Sequence, residues 1–233
     1  MMLSAAEWDA IRISLQVSGS AVAWIIVPGI ALAWLMARRD FPGKSLLDGM
    51  LHLPLVLPPV VVGYLLLIAL GRRGFIGQWL DQTFDIQLPF TWQGAAVAAG
   101  VMAFPLLVRS VRLSLEAVDT QLEAAASTLG ASRWRVFRTI TLPLTLPGLL
   151  TGAVLAFARA LSEFGATITF ASNIPGETRT LPLALYTLIQ TPGAEDAAAR
   201  LCVLSIAIAM ASLMMSEWLA RRARQRLRGR DDG

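Results

Sequence analysis

Five apolar runs, at residues 13–36, 51–70, 92–111, 146–170 and 201–219, constrain this chain more than any other feature. Each is close to or beyond the roughly 20 apolar residues a helix needs to cross a hydrocarbon layer about 30 Å thick. No water serves the backbone inside that layer, so five such runs predict an all-α integral membrane protein with about five transmembrane helices. Composition agrees: 15% of the residues are charged, against roughly 25% in a soluble domain. The first run is not expected to be a cleaved leader. Glu7 and Asp9 precede it with no basic residue before Arg12, and it is too long.

The basic residues are distributed unevenly. Arg38, Arg39 and Lys44 follow the first run, five arginines between positions 109 and 138 separate the third from the fourth, and six from Arg221 to Arg230 close the chain. If alternate connections share a side, fourteen of the twenty basic residues lie together, five lie opposite, and Arg159 lies inside the fourth run. The positive-inside bias then predicts an amino terminus outside and a carboxyl terminus in the cytoplasm. The pair Arg72–Arg73 runs against the trend. This asymmetry reads as an orientation signal rather than a nucleic-acid footprint, and no nucleic-acid partner is expected. The tail from 221 to 233 is expected to be held by anionic lipid.

Other chemistry is thinly represented. The single cysteine, Cys202, forms no internal disulfide, and His52, the single histidine, has no cluster with which to hold a metal. Gly43-Lys44-Ser45 imitates part of a phosphate loop, but the position five residues before Gly43 is Arg38 rather than glycine. No nucleotide site is expected in this chain.

Three places depart from plain apolar spans. In the second run, Pro54, Pro58 and Pro59 fall within six residues, so a regular helix cannot continue through them. That segment reads either as a kinked packing helix starting afresh at Pro59 or as the border of a translocation path. In the fourth run, Arg159 and Glu163 stand four apart, expected on one helical face. A charge near the bilayer centre costs about 2.5–3.5 kcal/mol on insertion scales, so the pair should face the protein interior. It either neutralises itself and fixes packing, or Arg159 lines the path of an anion while Glu163 keeps binding weak. Ser162, Thr167 and Thr169 are further hydroxyls there, serving as donors or as interhelical glue.

The third departure is the connection at about 112–146. Residues 124–129 are small or helix-favouring and predict a flat helix; Gly130 is placed to end it and Ser132 to cap the next turn. Trp134 and Phe137 should share a face, with Arg133, Arg135 and Arg138 turned outward. Leu142-Pro143 is expected to stop this structure and Pro147-Gly148 to open the fourth span. Outside, residues 71–91 predict an interfacial loop and residues 183–189 a short re-entrant or interfacial helix. Physics alone would also permit an ordinary amphipathic hairpin at 112–146.

The order Ala125-Ala126, three residues, Gly130, nine residues, Ile140, one residue, Leu142-Pro143 resembles the cytoplasmic EAA loop of ABC importer permeases. The usual glutamate position holds Ala124, with Glu123 one residue early. The stretches 51–64, 71–77, 163–166 and 172–182 are similar to molybdate transport permeases, and Glu163-Phe164-Gly165-Ala166 also to sulfate and thiosulfate permeases. The resemblance covers about 11–220 and implies a type I ABC importer transmembrane domain without a catalytic site of its own. It implies an ATPase-coupling set of Glu123, Ala125, Ala126, Gly130, Arg133, Arg135, Arg138, Leu142 and Pro143. It also implies a second copy of the chain, two cytoplasmic ATPase subunits carrying the ATP and Mg²⁺, and an outer oxyanion-binding protein. Pro58, Pro59, Arg159 and Glu163 are the candidates for the pathway. Molybdate is the expected substrate, with tungstate or sulfate and thiosulfate as alternatives. An ion-gradient-driven secondary transporter is the alternative from another class, with Arg159 and Glu163 as its coupling site.

Overall fold

The computed structural model describes residues 4–228, and every regular element among them is helical. In chain order these are α1 (Ala5–Arg38), α2 (Lys44–Val56), α3 (Pro59–Leu70), α4 (Phe75–Phe84), α5 (Trp92–Glu116), α6 (Thr120–Thr128) and α7 (Arg133–Val136). A π-helical stretch (Phe137–Thr141) leads into α8 (Leu142–Leu161), followed by α9 (Gly165–Ala171), α10 (Leu181–Ile189) and α11 (Glu195–Arg228). Among the described residues four helical stretches are long and apolar enough to cross a membrane, and the α2–α3 pair makes a fifth if its two members form one bent span.

The centre is α5 packed between α1 and α8. Ala95, Ala96, Ala98, Ala99 and Ala103 of α5 are fully buried. Lipid tails are as apolar as leucine, so close backbone approach rather than oil-versus-water contrast holds such helices together. The close approaches are visible at Gly148 and Gly152 of α8, where an added Cβ would lie 2.3 and 2.9 Å from Ser114 and Ser110 of α5. Ser110 also donates its hydroxyl to the Gly148 carbonyl at 2.9 Å. At one end of the bundle, Ser14 of α1 accepts from the Leu181 N–H at 2.6 Å, and Glu7 lies 3.4 Å from Arg200. These contacts bring the starts of α1, α10 and α11 together.

The second run is two helices bent by 115° at Leu57–Pro58, not one continuous span. Pro58 and Pro59 cause the break, because neither offers a backbone donor and each restricts the residue before it. Pro59 then starts α3 in the first-turn position that tolerates proline. The two ends of the pair meet opposite ends of α5. Asp48 of α2 holds Arg112 at 2.9 Å near the carboxyl end of α5, while Leu67 and Leu70 of α3 pack against the cluster of Val62, Ala98, Met102 and Phe170 that Leu88, just before α5 begins, also covers.

The fourth run needs a larger correction. Leu142-Pro143 does not stop the structure and Pro147-Gly148 does not open the span; α7, the π-helical stretch and α8 form a continuous helical segment, Arg133–Leu161. The π-helical turn explains this, because its register lets the Leu142 N–H reach the Phe137 carbonyl just before Pro143, which has no N–H to contribute. The segment ends at Leu161, so residues 165–171 form the separate α9. Residues 71–91 are not all loop, since α4 lies within them, whereas α10 fulfils the expectation of a short helix over 183–189. Arg230 lies outside the described residues.

The two breaks lie against each other. A Cβ on Gly165 would sit 2.8 Å from the Pro59 ring, and one on Gly63 would sit 2.7 Å from the Ala166 carbonyl oxygen and 2.8 Å from Thr169. Overpacking such a contact costs typically about 1–3 kcal/mol. Gly63→Leu should therefore lower the amount of folded subunit in the membrane and its melting temperature, while Gly19→Leu, with nothing within 4 Å of its Cβ, should leave both unchanged. Equal loss in the two variants, in a thermal-shift assay of detergent-solubilised protein, would contradict this packing.

Candidate functional site

Two groups of residues carry the chemistry, one at each end of the segment Arg133–Leu161. The first is the amphipathic unit of α6 and α7. Asp119 caps α6 by accepting from the Gln121 N–H, and no residue of α6 is buried. Gly130 adopts φ +84, the left-handed region expected at a helix end, and Ser132 caps α7 through the Arg135 N–H. Trp134 and Phe137 stack with centroids 5.7 Å apart. Arg133, Arg135 and Arg138 are exposed, as expected. Ala125 is exposed and Ala126 half-buried on α6, while Leu142 and Pro143 belong to α8.

Glu123 points into its own chain. Its carboxylate accepts from Arg38 of α1 at 2.8 Å and from the Thr141 hydroxyl at 2.6 Å. With both side chains at most a quarter exposed, the pair pins α6 to the end of α1 and to the π-helical turn. Sequence reasoning missed both partners: Arg38 counted only as an orientation charge, and Thr141 carried no signal. It also missed Leu122 and Leu129, which stand exposed on and beyond α6. A large apolar side chain in water at the end of an otherwise small-residue helix was the available sign of an unfilled contact. Glu123→Gln should loosen α6 without disturbing the spans, seen as faster amide exchange over 120–128 with unchanged exchange over α5; identical exchange in both regions would contradict the pinning role.

The second group is at the helix break. Arg159 lies in the last turn of α8, but Glu163 lies beyond its end, so the two do not share one helical face as expected. They are nonetheless paired, Nη1 to Oε2 at 2.7 Å, with the Glu163 side chain 1% and the Arg159 side chain 25% exposed. The other carboxylate oxygen accepts from the Ala166 N–H at 2.7 Å, at the start of α9. One side chain thus ties the end of α8 to the beginning of the next helix, where positive backbone charge favours a carboxylate. Pro58 and Pro59 adjoin this break through the Pro59–Gly165 contact. Ser162, Thr167 and Thr169 donate to carbonyls three or four residues earlier, so these hydroxyls serve the backbone.

The two charged groups thus lie at the ends of one helical segment long and apolar enough to cross a membrane. Residues 29–229 match the family described as "Binding-protein-dependent transport system inner membrane component". The chain belongs to this family. It is 66% identical to the Molybdenum transport system permease protein ModB of Escherichia coli K12 over 97% of this chain and 99% of that protein. It is 59% identical to the Haemophilus influenzae protein of the same name, over 95% and 96% of the two chains. Its fold matches a chain of a bacterial ABC transporter involved in import of the acidic polysaccharide alginate, with TM-score 0.74 and 18% identity over 94% of this chain and 80% of that one. This chain is therefore a multi-pass inner-membrane component of a binding-protein-dependent transport system, with the all-α permease fold of ABC importers.

Proposed function

We propose that the chain is the permease subunit of an ATP-driven, binding-protein-dependent importer of molybdate. The near full-length identity to permeases named for molybdenum transport carries the substrate assignment. The transmembrane domain spans about 11–220, with 112–146 as the coupling loop and 221–233 as a basic tail. The subunit works as a homodimer with two cytoplasmic ATPase subunits that bind ATP and Mg²⁺, and it receives the anion from an outer binding protein. It holds no cofactor of its own.

The observation that carries the mechanism is the unbroken segment Arg133–Leu161. At ~1.5 Å per residue it is roughly 43 Å long, with the α6–α7 unit at one end and the Arg159–Glu163 pair at the other. The ATPase holds Ala125, Ala126 and the exposed apolar groups around Gly130. When ATP closes the ATPase dimer, α6 moves and the helix carries the displacement to the paired breaks at Pro58–Pro59 and 162–164. There the cavity between two copies changes the side it faces. Arg159, a quarter exposed, offers its charge to the passing divalent anion, and Glu163 limits how tightly the anion is held. A deep well would trap the substrate.

The orientation follows from the charge asymmetry together with the α2–α3 pair meeting both ends of α5, which supports five crossings. A reporter active only outside, fused after Gly77 or Gly193, should be active, and fusions after Ser132 or Arg224 should be silent. An active fusion after Ser132 would overturn the coupling proposal. For the substrate, excess tungstate should compete with labelled molybdate for uptake into cells more strongly than excess sulfate; equal competition by sulfate would favour the sulfate alternative.

A further inference from the structure

A groove of about 1150 Å³ runs between the last turns of α1 and the α6–α7 unit. Its lining includes the apolar Val27, Ile30, Ala31 and Trp34 of α1 and the cations Arg38, Arg39 and Arg133. Glu123 answers Arg38. Among the described residues no carboxylate pairs with Arg39 or Arg133, so two positive charges stand uncompensated over an exposed apolar wall. Arg39 lies 6.0 Å from the Trp34 ring centroid, the interfacial arrangement of an aromatic ring and a cation at headgroup level. α1 has 34 residues, about 51 Å at ~1.5 Å each, against roughly 30 Å of hydrocarbon. With its middle placed across that layer, α1 would turn the exposed Val27 and Ala31 toward acyl chains and bring Arg39 to headgroup depth.

We propose that this groove binds one anionic phospholipid of the cytoplasmic leaflet, its phosphate held by Arg39 and Arg133 and its chains laid along α1. Charge complementarity selects the occupant: a second copy of the chain or an ATPase segment would have to bring a carboxylate to two arginines and apolar cover to α1, whereas an anionic lipid supplies both in the same order of depth. Basic pockets between membrane helices on the cytoplasmic side are suited to such headgroups. The lipid would join α1 to the α6–α7 unit beside the Arg38–Glu123 pair, making coupling sensitive to membrane composition. The cytoplasmic placement rests on the orientation proposed above.

The test is native mass spectrometry of the assembled transporter, titrated with phosphatidylglycerol or with phosphatidylcholine of the same chains. Two surface arginines should give phosphatidylglycerol a preference of about thirtyfold. That preference should disappear in the double variant Arg39→Gln/Arg133→Gln, persist in Arg39→Lys/Arg133→Lys, and persist in the tail control Arg221→Gln/Arg222→Gln. Equal retention of the two lipids by the wild type, or loss in the tail control alone, would overturn the proposal. A second measurement does not depend on the glutamine pair assembling. In a Cys202→Ser background, Leu35→Cys, on the groove wall one turn before Arg39, should be protected from maleimide by phosphatidylglycerol and not by phosphatidylcholine. A cross-link from that cysteine to a second copy or to the ATPase would assign the groove to a protein and contradict the lipid site. An active outer reporter after Ser132 would overturn the orientation, and the lipid preference would still be read separately.

Discussion

Arg159→Ala should cause the largest loss of transport of any single substitution in the membrane segments. The Glu163 carboxylate is 1% exposed and has two partners, Arg159 and the Ala166 N–H. Removing the arginine leaves a buried anion held by one backbone donor, a loss of about 3–5 kcal/mol where a buried pair is broken. Subunit yield should fall, and transport per assembled complex should fall further if Arg159 lines the path as proposed, because the path then loses its positive charge at the helix break. Glu163→Gln should be milder. Its amide oxygen still accepts from Ala166, and Arg159, a quarter exposed, can turn toward water. If packing alone matters, Arg159→Met/Glu163→Gln should restore both yield and transport, since replacing a buried pair by neutral groups is often tolerated. Normal molybdate uptake per assembled complex in Arg159→Ala would remove the arginine from the pathway.

The second large effect is expected at Gly130, where the spans should be indifferent and coupling should not be. Its φ of +84 lies in the left-handed region, and nothing lies within 4 Å of an added Cβ. The constraint is therefore backbone torsion alone, roughly 1–2 kcal/mol for a residue with a side chain and least for asparagine. Gly130→Val should insert normally, co-purify with less ATPase and lose the stimulation of hydrolysis by loaded binding protein; Gly130→Asn should retain most of it. Ala126→Trp should reproduce the valine variant by bulk, holding the two surfaces apart. Wild-type stimulation in both Gly130→Val and Ala126→Trp, measured in reconstituted vesicles and normalised to assembled complex, would mean that this loop does not carry the coupling.

Local chemistry was the legible part of the sequence. Gly130, the Ser132 cap and the Trp134–Phe137 pair each depend on neighbours within a few residues, and each stands where local rules put it. The restart at Pro59 followed from proline's missing donor. What failed were inferences that treated proline as a stop without asking what register preceded it. The π-helical turn before Pro143 depends on hydrogen bonds that no proline rule anticipates, and it merges α7 with the span. The break at 162–164 escaped because it contains no proline; Gly165, pressed against Pro59, was its only local sign. The Arg38–Glu123 pair joins residues 85 apart in sequence. No period or motif carries that information.

The central claim is that this chain moves molybdate only when a partner ATPase moves its cytoplasmic loop. Vesicles containing the permease and its ATPase, with loaded binding protein on one side and ATP supplied to the other, test it directly through accumulation of labelled molybdate. Uptake should require ATP hydrolysis and the binding protein, and should survive an ionophore that collapses the proton gradient. Accumulation without ATP, driven by an imposed ion gradient and abolished by the ionophore, would contradict the account and make Arg159 and Glu163 an ion-coupling site instead.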